Sequence, residues 1–450
     1  KNNKIFPCFK GSALLDIGIL EFLDAFNLLT ITDYKSEDKF TGRVFKVRYD
    51  DKGNRVTFIK ALSGKLKTKD ELNFNLNNED ISEKINGIRI YNGNKFNAID
   101  EVLAGDVFGV IGIENLKSGM SIGIDNHFNY EMIPTLKAKV IYDEKLNYND
   151  VLKVFKILES EDDSLNVVWD EALKEMHISI MGKIQLEVLK EVLLDRFNLD
   201  IGFGNPEILY KETIKGEALG CGHFEPLGHY SEVHLKIEEG KRGSGIIFEN
   251  KCHVDDLSIG NQNLIKTHIF EKEHRGILTG SPITDLKITL LTGRAHNKHT
   301  SGGDFRESTK RALRQGLESA NCILLEPYYK FKIDVSMDYI GRVLSDIQKM
   351  NGEFEEPVNY EDKVIVKGRG PVKEFMNYPL EFVSFTKGKG SLSLLFDGYD
   401  ICHNEEEIIK EKNYDKNADI EYTSTSIFCS KGQSYLVEGK NAREYMHCLK

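Results

Sequence analysis

Between Arg294 and Arg314 the chain places six basic residues (Arg294, Lys298, Arg306, Lys310, Arg311, Arg314) against two acidic ones, Asp304 and Glu307. That local excess of four lies inside a chain whose net charge is −11. The stretch "LLTGRAHNKHTSGGDFRES" sets His296 and His299 beside these cations, and Gly302-Gly303 lets the chain turn sharply. A second stretch, "GCGHFEPLGHY", supplies His223, His229 and Tyr230. Ammonium and guanidinium groups on a loop and the following helix suit phosphate contacts. Planar rings among them can stack on, or hydrogen-bond with, unpaired bases. The plain alternative is a solvated loop and an ordinary charged helix face. The negative total excludes a protein that coats nucleic acid by bulk electrostatics and leaves room for a local patch.

Other chemistries find weaker footing. His223, Glu225, His229 and His234 could hold a metal, but regular strand alternation would put His229 and His234 on opposite faces. Cys402-His403, Cys429 and His447-Cys448 could meet at a metal, yet their spacings fit no zinc-ligand pattern. No metal is expected. Seven cysteines, none in a Cys-x-x-Cys pair, argue against a disulfide framework and read as buried thiols. Glu273, His274 and Arg275 at a helix end suit dipole stabilisation better than acid–base chemistry. No Ser/His/Asp or Cys/His arrangement suggests a nucleophile.

The elements that must hold these residues follow from periodicity. At 450 residues several domains are expected. No run of about 18 apolar residues suggests a membrane span, and the start resembles no signal peptide, so the cytoplasm is the expected compartment. "KIFPCF", Gly11-Ser12-Ala13-Leu14 and the helical spacing of Ile17, Ile19, Leu20, Leu23 and Phe26 read as a strand end, a turn and a helix. From about 40 to 125 the texture is all-β, opening with a hairpin around Asp-Asp-Lys-Gly-Asn. Mixed texture follows over 134–206, where "NDVLKVFKILESED" buries Leu152, Phe155 and Leu158. Its second helix presents Ile184, Val188, Leu189, Val192 and Leu193 as an apolar stripe. Further strands and helices occupy 208–325. A second small α+β unit begins near 326, with Ile340, Val343, Leu344, Ile347 and Met350 on one helix face. Residues 404–450 read as a charged extension ending in a short helix.

In this order the textures and motifs resemble the translational GTPases of the elongation factor G kind, and more closely their tetracycline-resistance ribosomal-protection relatives. "AGDVFGVIGIENLKSGMSIGI" is similar to the close of their barrel domain. "IMGKIQLEVLKEVLLDRFNLDIGFGNPEILYKETI" resembles their third domain, and "LLEPYYKFKIDVSMDYIGRVLSDIQKMNGEF" with "SFTKGKGSLSLLFDGY" their fifth. The resemblance implies a multidomain α+β chain: a small β-barrel followed by ferredoxin-like, ribosomal-protein-like (βαβ) and second ferredoxin-like domains. The implied divisions are 1–30 (remnant of a GTP-binding domain), 38–125 (barrel), 134–206, 207–325, 326–400 and 401–450 (extension). Ser12, Ala13 and Leu14 match the family's guanine-contacting turn.

No Gly-x-x-x-x-Gly-Lys-Ser/Thr or Asn-Lys-x-Asp motif occurs, so this chain is expected neither to bind GTP usefully nor to hydrolyse it. GTP and Mg2+ are expected for an intact parent, and no cofactor for this chain. The resemblance further implies a monomer that meets the ribosome, at small-subunit RNA near the decoding region and at the large-subunit factor-binding region, and that meets no membrane. The RNA-contacting tip would comprise His223, His229, Tyr230, Arg294, His296, Lys298, His299 and Arg306. One departure matters. The protection branch carries a Pro-rich tip before Asp-Phe-Arg, whereas this chain reads "HNKHTSGG", with histidines as in elongation factor G. Three functions stay open: a tetracycline-resistance ribosomal-protection protein, an elongation factor G-like translocase, and a stand-alone RNA- or protein-binding module without GTPase.

Overall fold

The computed structural model describes residues 7–30, 34–76, 79–93, 95–124, 133–143, 145–170, 174–360, 363–419 and 422–448. The chain divides into two compact units: residues 1–131 with 144–167, and residues 132–143 with 168–450.

In the first unit, Thr41–Tyr49 and Arg55–Ser63 pair antiparallel across a turn in which the Asp50 carboxylate accepts from the amides of Lys52 and Asn54. This pair belongs to a six-stranded sheet, and two short ribbons share its core of Val44, Ile59, Leu66, Leu72, Val102, Phe108 and Val110. Helix Tyr148–Glu161 approaches strand Thr41–Tyr49, whose Tyr49 amide donates to Glu161 Oε1 at 2.8 Å. It buries Val151, Phe155 and Leu158, while Leu152 is only half-buried. Helix Ile19–Leu29 buries none of its residues, so Leu20, Leu23 and Phe26 stay exposed. Lys4–Phe6 of the expected strand end lie outside the described residues, and Pro7–Lys10 form no strand.

In the second unit, strands Val168–Asp170, Glu175–Ile180, Leu136–Ile141 and Gly202–Phe203 lie in that order, every neighbouring pair antiparallel. The adjoining helix Lys183–Phe197 corrects the expected stripe: it buries Leu186, Leu189 and Leu193, and leaves Ile184 and Val188 exposed. Leu186, Leu189 and Leu193 sit at i, i+3 and i+7, an equally good helical face that the β-branched residues obscured. At the other end, the long strand Asn321–Ser336 lies between Lys363–Pro371 and Ser391–Ile401, with helices Ile340–Lys349 and Tyr378–Thr386 supplying Val343, Ile347 and Phe382 to the core. Counting Val358–Tyr360, the spatial order of these strands is fourth, first, third, second, that of a ferredoxin-like βαββαβ unit.

Between these lies the sheet that carries the candidate site. Its strands are β1 (Glu217–Phe224), β2 (Ser231–Glu239), β3 (Ile246–Asn250), β4 (Leu286–Ala295), β5 (Ser426–Ser430) and β6 (Gln433–Val437). Across the sheet they run β3-β4-β2-β1-β5-β6. β3, helix α1 (Ile259–Phe270) and β4 make a βαβ unit with parallel strands. Helix α2 (Gly302–Ser319) lies on β1 and β2. No helix among the described residues is long and apolar enough to cross a membrane.

α2 reaches the sheet because glycine faces it. A Cβ at Gly220 would collide with the Ala312 carbonyl, and one at Gly222 with the Ser308 carbonyl. Gly316 answers from the helix, where a Cβ would press Ile237 Cδ1 at 2.6 Å. The clash at Gly222 is with backbone, which cannot swing aside. Gly222→Ala is therefore expected to cost about 1–3 kcal/mol, read as a lowered denaturant midpoint with an unchanged slope. Gly228→Ala on the open turn gives the comparison, since a Cβ there meets nothing and only its positive φ of 83° is strained.

Candidate functional site

The β1–β2 connection (residues 225–230) and the β4–α2 connection (residues 296–301) leave the same end of the sheet. β2 sets this, because Ser231 pairs with Phe224 on one side and Ala295 on the other. The two connections are tied together. Thr300 Oγ1 donates to the Tyr230 carbonyl at 2.6 Å and accepts from the His296 amide at 2.7 Å. His229 Nδ1 lies 2.8 Å from Asp304 Oδ1, and Asp304 Oδ2 accepts from the Ser301 amide, fixing the start of α2.

Of the predicted contact residues, Arg294, His296, Lys298 and His299 are exposed at this end. The His296 and His299 rings stack 4.6 Å apart at 25°. This pair presents a planar surface beside a cation, an arrangement that accepts an unpaired base and its phosphate. His229 is half-exposed while holding Asp304.

Two expected contacts, His223 and Tyr230, are corrected by burial, and a third, Arg306, is engaged in an ion pair. His223 is fully buried, its ring stacked 4.2 Å from Phe428 at 6° and its two nitrogens 3.0 Å from Glu232 and Glu225 carboxylates. It has no face left for a base. Tyr230 is buried too, with its hydroxyl 3.0 Å from His447 Nδ1. Arg306 is exposed, but its guanidinium forks onto both oxygens of Glu271 at 2.8 and 3.0 Å. Burial would raise the Glu271 pKa; Arg306 and His268 instead hold it at about 2. The charge stripe also shrinks: Lys310, Arg311 and Arg314 are buried, Arg314 donating to the Gly276 and Lys416 carbonyls. The fold turns these cations inward.

The rival groups separate. His274 is buried beyond the end of α1, its Nε2 3.1 Å from the Ile269 carbonyl, and burial lowers its pKa. Cys402-His403 sits at the buried Glu326, with His403 Nδ1 2.6 Å from Oε1. Cys221, Cys252 and Cys402 are buried thiols, whereas Cys8 is exposed. Ser12 and Ile17 close the N-terminal turn by exchanging backbone hydrogen bonds, and Leu14 is 95% exposed.

The C-terminal strands were missed by sequence reasoning, although they complete the site's support. β5 adds parallel to β1 at Phe224↔Ile427, and β6 folds back on β5. The signal was present: "SIFCSKGQSYLV" is two apolar-rich runs about Lys431-Gly432, both with positive φ, the signature of a two-residue hairpin turn. Glu232 gathers this segment, accepting from the amides of His447 and Cys448 at 2.9 and 2.8 Å.

The comparisons match this architecture. Residues 39–123 match the family model Elongation factor G domain 2, residues 206–321 Elongation factor G, domain IV, and residues 323–408 Elongation factor G C-terminus. Tetracycline resistance protein TetP of Clostridium perfringens is 28% identical over 406 residues, 89% of this chain and 62% of that protein. The chain thus spans about three fifths of that relative's length. A solved structure from Thermus thermophilus shares the fold at a TM-score of 0.51 and 24% identity, over 88% of this chain and 61% of that one.

Two outcomes are expected. Lys298→Ala with His299→Ala removes exposed loop groups and shifts stability by less than about 0.5 kcal/mol, measured by thermal unfolding; a large drop would mean the loop is packed. The pH dependence of stability follows from Glu232. Burial pushes its pKa up, but hydrogen bonds from His223, His234 and the His447 amide prevail and hold it well below the usual glutamate range. A depressed folded pKa supplies stability above the unfolded value and loses it as pH falls. The segment at His447 and Cys448, whose amides Glu232 holds, should therefore loosen as pH falls below about 4.3, the ordinary glutamate value, seen as amide exchange there. In Glu232→Gln the acid-dependent part is absent.

Proposed function

Since the chain carries elongation factor G domain 2, domain IV and C-terminus, we propose that it is the ribosome-binding portion of a translational GTPase acting in the cytoplasm as a monomer. On this reading the 296–301 end of the sheet meets small-subunit RNA near the decoding region, and the other domains face the factor-binding region of the large subunit. The observation that carries it is the exposed His296–His299 stack flanked by Lys298 and Arg294. Rings serve bases and cations serve phosphates. GTP and Mg2+ belong to a nucleotide domain of the intact parent, of which Ser12, Ala13 and Leu14 are the guanine-side turn. The uncovered apolar side chains of helix Ile19–Leu29 support a further layer against it.

The finer role we propose is tetracycline-resistance ribosomal protection, supported by the similarity to TetP. One observation favours a second reading, an elongation factor G-like translocase: the loop carries histidines and no proline. A proline-free loop closed by Thr300 and His296 has no stiff wedge to crowd a drug. A stand-alone binding module is the third reading, separated by whether the parent reading frame encodes a phosphate-binding loop.

Ribosome co-sedimentation across a salt series tests the main reading. Lys298→Ala should lower the log–log salt slope by about 0.7–0.9, the share of one phosphate contact. His299→Ala should weaken binding about tenfold with little change in slope, since stacking on a base contributes roughly 1–3 kcal/mol. Binding that ignores both substitutions would sink the tip assignment. Expression of the intact parent in a sensitive host, scored as growth in tetracycline, separates the roles: raised tolerance supports protection, and unchanged sensitivity favours the translocase.

A further inference from the structure

Behind the tip, the polar groups that sequence reading scattered among separate metal candidates converge. We propose that His223, Glu232 and His447 form a zinc-class metal site that staples the C-terminal segment to the sheet. The inference stands independently of the ribosomal reading.

Geometry carries it. One ligand atom from each of His223, Glu232 and His447 lies within 4.8 Å of the others. His223 Nδ1 is 3.0 Å, and His447 Nδ1 4.0 Å, from the same oxygen, Glu232 Oε2. Tetrahedral zinc with bonds near 2.0–2.3 Å needs its ligand atoms roughly 3.5 Å apart, so small side-chain adjustments suffice. Three protein ligands leave one position to water, as in three-ligand zinc sites. Two imidazoles and one carboxylate favour zinc over magnesium or calcium, which take oxygen shells.

The surroundings are those of a metal centre. If Nδ1 of His223 ligates, its Nε2 remains 3.0 Å from Glu225 Oε2, a carboxylate–histidine–metal relay. Glu225 is itself fixed by the Cys429 amide at 3.0 Å. His234 Nε2 sits 2.8 Å from Glu232 Oε1 and orients the ligating carboxylate. The Tyr230 hydroxyl lies 3.0 Å from His447 Nδ1, a bond that this nitrogen gives up when it ligates. Phe428 stacked on His223 closes the apolar side. His447, half-exposed, opens the way in.

The test uses the whole chain, stripped by chelator and titrated with zinc chloride. One zinc per chain should survive gel filtration. His447→Ala should weaken binding at least tenfold, as even outer-shell changes cost about 10–100-fold. Cobalt(II) in place of zinc should give tetrahedral d–d absorption that His447→Ala abolishes. His447 is half-exposed, and circular dichroism checks that the fold is kept. Failure to retain zinc stoichiometrically, or retention that His447→Ala leaves within twofold, overturns the site.

Discussion

Everything at the candidate interface depends on how closely helix α2 lies on strands β1 and β2. The glycines at 220, 222 and 316 remove the side chains that would separate them, so helix backbone rests on strand backbone. Phe305, Ala312, Leu313 and Leu317 then fill the space against Val233, Leu235 and Ile237. Because α2 begins where the 296–301 loop ends, this contact sets the loop's position. His229 holding Asp304, and Thr300 holding Tyr230, lock the last few residues to the neighbouring connection. The histidine stack is presented by a buried helix contact some turns away.

A second device recurs: buried carboxylates that collect backbone amides from distant segments. Glu232 takes those of His447 and Cys448, Glu212 takes Leu278, Thr279 and Ser281, and Glu326 takes His403. A charge with its hydrogen bonds removed is expensive to keep buried, so each of these contacts orders the segment it holds. Arg314 does the converse, donating to the carbonyls of Gly276 and Lys416. The C-terminal extension is tied to the sheet by such polar contacts and by the small apolar cluster of Cys221, Phe428, Val437, Ala442 and Met446.

Much of this architecture was legible in the residues. The hairpin around Asp50–Asn54 and the helix with Val343 and Ile347 inward follow from turn residues and periodicity. What was not legible depends on contacts distant in sequence. Helix Lys183–Phe197 offered two plausible apolar faces, and only its packing partner chose Leu186 over Ile184. The basic residues after Arg294 looked alike in sequence; burial by a segment a hundred residues later separated Arg314 from Arg294. His223 and His299 are both histidines next to glycine-rich turns, yet one lies under Phe428 and the other in solvent. The hairpin around Lys431-Gly432 had a local signal, and its edge-strand role did not, because strand partners cannot be read locally.

Under the proposed function, the corrected charge map narrows the kind of RNA contact open to the chain. Of six basic residues, Lys310, Arg311 and Arg314 point inward and Arg306 is committed to Glu271, which leaves Arg294 and Lys298 facing outward. Two phosphate contacts would give a salt slope of only about 1.4–1.8, shallow for a nucleic-acid-binding surface. With a total charge of −11, long-range attraction cannot make up the difference. On the proposed reading, recognition at this end rests on ring faces, hydrogen bonds and the fixed shape of the loop, which discriminate a particular unpaired base from general RNA. A surface of that kind gains selectivity by lacking bulk charge, and it works only if its rings are held in place before the partner arrives, which is what the ties to Asp304 and Tyr230 accomplish.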